Sequence, residues 1–163
     1  MNNDRILVPI DLAKCPVEAF ALINAMPDHT NVSVILLHVV NPSAVSPDGR
    51  VYDGLCHDAE RRLERLAREY LPPDLDTTLR VRVGNPFDEI AAEAREQHAS
   101  LIMLPTFPQG FWQRLFQAVP RLAEKLAGAA PCPVFAVPVK RMLNCERYWT
   151  FESEFAAVGD ARA

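Results

Sequence analysis

The side chains able to do chemistry fall at a few definite places. Asp11 closes the run RILVPID, and His38 lies inside the apolar run VSVILLHVV. Cys132 stands between Pro131 and Pro133, and Arg114 and Arg121 follow the aromatic pair Phe111 and Trp112. An imidazole in an apolar strand could be a base or a metal ligand, but no second His, Cys or carboxylate sits near it at ligand spacing. His38 is therefore expected to be a hydrogen-bonded structural residue, and Cys132 a small packing residue rather than a reactive thiol. A guanidinium recognises phosphate directly, so Arg114 and Arg121 are anion candidates, although charges on a solvated helix face also explain them. Phe111, Trp112 and Phe116 read as loop packing or an interface. No Ser-His-Asp set, phosphate-binding P-loop, metal motif or catalytic carboxylate pair stands out. The expectation is a protein that is not an enzyme and holds no metal or cofactor.

The composition agrees with one soluble domain. The chain has 163 residues, 49% of them hydrophobic and 23% charged, with a net charge of -4. That charge leaves no basic footprint, so nucleic acid is not an expected partner. No apolar run reaches the length of a membrane span, and MNNDRILVPIDL lacks the pattern of a signal peptide. The four cysteines are dispersed, without C-x-x-C, which suits reduced thiols and a cytoplasmic location.

The elements that must position these residues alternate. Residues 5–11 form a strand, and Pro16 opens a helix to about Met26, with Val17, Ala19, Phe20, Leu22, Ile23 and Met26 on a broad apolar face. Residues 32–40 form a second, central strand. After NPSAVSPDGR, Asp53 caps a helix to about Leu71, with Leu55, Ala59, Leu63, Leu66 and Tyr70 inward. The pairs Asp58–Arg62 and Glu64–Arg68 fall four apart on its outer face.

TTLRVRV alternates polar and apolar, as an edge strand does. Gly84 then turns the chain, Asn85 caps and Pro86 starts a third helix, with Asp88 and Glu89 in its first turn. Leu101 to Leu104 is a fourth strand; a long loop follows, then a helix to about Ala127 ended by Gly128, and a fifth strand over 133–139. Strict βα alternation implies a doubly wound α/β domain, with a parallel sheet covered by helices on both faces. It spans 1–140, leaving 141–163 as an extension whose Tyr148, Trp149, Phe151 and Phe155 could dock a short segment.

RILVPID, LLHVV, GNPFDEI and AEKLAGAAPCPVFAV, in this order, resemble the universal stress protein family over nearly all of residues 4–139. The resemblance implies a Rossmann-like five-stranded sheet of order 3-2-1-4-5, a cytoplasmic protein linked to stress, and a homodimer along the last strand, Val134–Val139. One branch of that family binds ATP through a Gly, two residues, a Gly, nine residues, then Gly-Ser or Gly-Thr. Glycines let backbone amides approach phosphates, and the last pair opens a helix.

Here Pro120 and Arg121 fall where the final Gly and Ser belong. Aligning the fourth strand puts Pro105 and Pro108 on the first two glycines and leaves the loop two residues too long; the other register uses Phe107 and Gly110. At best one glycine of three survives, and each proline removes an amide donor. Leu12 also follows Asp11 where the nucleotide-binding branch has small residues. The expected function is regulatory or protective, through dimerisation and protein contacts, without glycine-loop ATP binding. The alternative is an adenine-nucleotide sensor that holds ATP or AMP, with the base near Ile10, Asp11 and Val39 and the phosphates on Arg121. A weak nucleotide hydrolase ranks last.

Overall fold

The computed structural model describes residues 4–27, 29–42, 50–106 and 119–139. Its centre is β1 (Asp4–Pro9), whose last four residues are buried. It lies between β2 (Val32–Val40) and β4 (Leu101–Thr106), with β3 (Asp76–Val83) and β5 (Val134–Pro138) at the edges. The sheet is parallel with order β3-β2-β1-β4-β5, as the resemblance implied. Side chains alternate across it and build two cores. Ile6, Val8, Val34 and Leu36 pack on one face against Phe20 and Ile23 of α1 (Val17–Asn24) and Leu63 of α2 (Arg50–Tyr70). Leu7, Ile35, Leu37, Ile102 and Leu104 pack on the other against Ile90 of α3 (Pro86–Glu96) and Leu126 of α4 (Val119–Ala129).

Local chemistry explains most boundaries. The Phe87 amide donates to the Asn85 side chain at 3.0 Å, and Pro86 needs no donor at the helix start. Arg62 pairs with Asp58 at 2.9 Å, both half-buried rather than on the outer face, and Arg68 pairs with Glu64 at 2.7 Å on the exposed side of α2. β3 is an edge and alternates as its sequence does.

Five expectations need correction. Pro16 lies one residue outside α1, where its carbonyl accepts from Ala19 and Phe20, and the helix ends before Met26. Leu22 and Leu55 are exposed because each lies off the arc that its helix turns to the core. The second helix starts at Arg50, so Asp53 is inside it and not its cap. β4 continues through Pro105 and Thr106. Gly128 lies inside α4: its backbone stays right-handed, and the Ala130 amide carries the helical pattern on to the Leu126 carbonyl at 2.6 Å. Arg95 of α3 closes that end by donating to the Ala129 carbonyl at 2.8 Å.

α3 ends in a Schellman turn, with Ala99 donating to the Ala94 carbonyl at 2.9 Å and His98 to Arg95 at 3.2 Å. The turn forces φ of 52° on His98, a conformation that costs a residue with a Cβ about 1–2 kcal/mol. His98→Gly is expected to stabilise the fold by about 0.5–1 kcal/mol, allowing for the extra entropy of an unfolded glycine, as read by urea unfolding.

Candidate functional site

Ligands of open α/β sheets bind where strand order reverses, here between the carboxyl ends of β1 and β4. Two prolines open this seam. Asp4 and Ile10 donate to Asn31 and Leu37 on the β2 side, so the odd residues of β1 face β4. Ile102 donates to Pro133 on the β5 side, so Leu101, Met103 and Pro105 face β1. The β1–β4 register runs only through Leu7 and Ile102. The next donors along it are Pro9 and Pro105, and neither has an N–H. The strands therefore part just below Ile10, Asp11 and Thr106. The Thr106 hydroxyl is already committed, donating to the Val137 carbonyl at 3.2 Å.

Asp11 sits at the head of the seam and is only 7% exposed. Its Oδ1 accepts from the Ala13 amide at 3.0 Å, and the Lys14 amide donates to its carbonyl at 2.9 Å, which makes a tight turn into α1. Its Oδ2 is buried without a hydrogen-bond partner. Burial raises the carboxyl above its usual range, opposed by the Ala13 hydrogen bond and the charges of His38 and Lys14.

His38, on β2, points into the same region. Its Nδ1 lies 2.9 Å from the Ile10 carbonyl and, as the donor that this acceptor requires, ties the ends of β1 and β2 together. Burial lowers His38 below the usual imidazole value; the bond to Ile10 and the charge of Asp11 oppose this, and Arg62 adds to it. The structure thus supports a structural histidine, and it adds Lys14 to the surroundings of Asp11 and Arg62, paired with Asp58, to those of His38.

The nucleotide candidates divide. Ile10 and Asp11 come together with His38, while Val39 packs in the core on the other side of the sheet. Arg121 lies in the first turn of α4, and its side chain is outside the described residues, as are residues 107–118, with Gly110, Phe111, Trp112 and Arg114, and the extension 141–163. Cys132 is half-buried and burial raises its thiol, which disfavours the reactive thiolate. Among the described residues no group of three or more His, Cys, Asp or Glu converges to hold a metal, and no helix is long and apolar enough to cross a membrane.

Solved structures share this architecture. Hypothetical protein MJ0577 superposes with a TM-score of 0.67 at 21% identity, over 86% of this chain and 99% of its own. A universal stress protein in complex with cAMP gives 0.59 at 19% identity, over 84% and 98%. A universal stress protein family protein from Arabidopsis thaliana with AMP bound gives 0.57 at 13% identity, over 83% and 91%. At these identities the likeness concerns the fold. No curated protein matches the chain. The family model of the universal stress proteins matches residues 2–138, and the chain belongs to the universal stress protein family.

Proposed function

We propose that this protein is a regulatory or protective member of its family that acts through dimerisation and protein contacts, without turnover and without holding ATP on a glycine loop. The observation that carries the contact reading is the contrast between the two sheet edges. β3 is guarded by Asp76, Arg80 and Arg82, charges of the kind that discourage edge pairing. β5 carries no charge, and Phe135 on it is 51% exposed. An apolar edge that no described strand covers is a template for a second strand, and a second copy supplies one by a two-fold axis. Sedimentation velocity of the full chain tests this: a dimer at micromolar concentration is expected, and a monomer defeats the reading. The absence of ATP binding rests on the prolines and bulky residues that stand where the glycines belong in the sequence.

A second reading is an adenine-nucleotide or nucleoside sensor. The buried, unpartnered Oδ2 of Asp11 at the opened seam favours it, because an acceptor in that state gains from a ligand hydroxyl or amine. Relatives of the same fold are solved with cAMP and with AMP. A hydrolase is the third reading, ranked last because the sequence shows no Ser-His-Asp set, metal motif or catalytic carboxylate pair.

A further inference from the structure

The turn that buries Asp11 connects the ligand seam to α1, and its carboxylate is satisfied on one side only. Oδ1 holds the Ala13 amide, while Oδ2 faces the interior with no partner. Closing this turn over an ionised carboxylate leaves a buried charge half-solvated. Closing it over a carboxylic acid does not, and Oδ1 still accepts from Ala13. His38 is the fixed post of the arrangement: its bond to the Ile10 carbonyl, one residue before Asp11, uses a proton that neutral imidazole already carries.

We propose that the Asp11–Lys14 turn is a proton-operated latch over the β1/β4 seam, shut when Asp11 carries its proton and free to open when Asp11 is ionised and can accept from a ligand's hydroxyl or amino group. On opening, the Oδ2–H bond breaks heterolytically, the proton leaves to solvent, and the electron pair stays on Oδ2 to accept from the ligand. The ligand half of this statement rests on the sensor reading above; the latch itself does not. The charged groups that act on Asp11 are Lys14 in the turn and His38 on β2, and Arg62, paired with Asp58 on α2, acts in turn on His38; Glu18 follows in the first turn of α1. Lys14 and His38 pull Asp11 toward ionisation, but burial outweighs them. The sign follows from linkage. A carboxyl raised in the closed turn stabilises closing below its ordinary value of 3.8, and that contribution is lost as pH rises through the raised value. Acidification therefore shuts the seam.

The test is NMR on the full chain across pH, following the Asp11 carboxyl carbon and the exchange of the Ala13 and Lys14 amides, corrected for intrinsic exchange. Asp11 is expected to titrate above the ordinary carboxylate range, and protection of both amides to fall by up to about tenfold per pH unit between the ordinary value of 3.8 and the raised midpoint, levelling off above it. Asp11→Asn keeps the Oδ1 acceptor without the charge, so its protection should stay high and independent of pH. Should that variant fail to fold by circular dichroism, Asp11→Ser offers an uncharged hydroxyl acceptor with the same expectation. An ordinary or lowered Asp11 titration, or equal pH dependence in wild type and variant, overturns the latch. Adenosine titrated into the same samples separates the two claims. Affinity that weakens on acidification through the Asp11 midpoint supports both, and pH-independent affinity overturns the latch. No binding at any pH defeats the sensor reading alone, and the amides then decide the latch.

Discussion

Arg82→Met is expected to cost about 3 kcal/mol of folding stability, more than removal of the glutamate beneath it. Glu93 on α3 is 0% exposed and accepts from Arg82 at 2.6 Å and Arg80 at 2.9 Å. Arg82 also reaches Glu89 at 2.6 Å and Glu96 at 2.8 Å, so one guanidinium joins three carboxylates across the β3–α3 interface. The hydrogen bonds it donates, to Glu96 first and then to Glu93, hold it firmly protonated. Without Arg82 the buried Glu93 keeps only Arg80, itself 43% exposed, and an uncompensated buried charge costs about 3–5 kcal/mol when its partner is lost. Glu93→Leu removes the buried charge instead. Arg82, 25% exposed, keeps Glu89 and Glu96, so this change should cost less, about 1–2 kcal/mol. Urea unfolding of the two variants checks the order, and a larger loss for Glu93→Leu contradicts it. Gly84 belongs to the same cluster: φ is +156°, and an added Cβ would meet Glu89 Oε1 at 2.6 Å. Arg82 also holds the Glu96 carboxyl below its usual range, so the stability it lends is present above that range and is lost as pH falls through the lowered value.

The second large effect is expected at the opposite edge. Ala136→Pro should turn the proposed dimer into a monomer while leaving the fold intact. Val139 donates to the Thr106 carbonyl at 2.9 Å and the Pro133 carbonyl accepts from Ile102 at 3.0 Å, so odd residues of β5 face β4. Val134 and Ala136 therefore turn their amides outward, and Pro138 has none to offer. Proline at 136 deletes an outward donor and no bond of the sheet, a position where edge strands tolerate it. A two-fold axis doubles the loss to two hydrogen bonds, about 2–3 kcal/mol, which weakens the dimer about 30- to 150-fold. Sedimentation with unchanged circular dichroism supports edge pairing; an undisturbed dimer contradicts it.

These two edges also mark how far the sequence could be read. TTLRVRV announces a half-wet edge strand by alternation, and Asn85-Pro86 announces a helix start, because both signals are local. Asp58–Arg62 and Glu64–Arg68 follow from helical spacing alone. The Arg82 cluster was not legible, since it joins residues of β3 and α3 that meet only after the crossover packs. Gly128 is no cap because a glycine near a helix end caps it only if the backbone turns left-handed, and among the described residues that conformation falls on His98, just past the end of α3. At the site, Asp11 was visible as the carboxylate closing a strand. What makes it distinctive, an oxygen buried without a partner at a seam opened by Pro9 and Pro105, depends on which way each strand's donors face.

Calorimetric titration of ATP into the purified full chain tests the proposed mode of action most directly. In the sequence, prolines or, in the other register, Phe107 stand at glycine positions of the motif, and each proline lacks the amide donor a triphosphate would need. No binding heat at micromolar ATP is the expected result, and saturable micromolar binding would contradict the account.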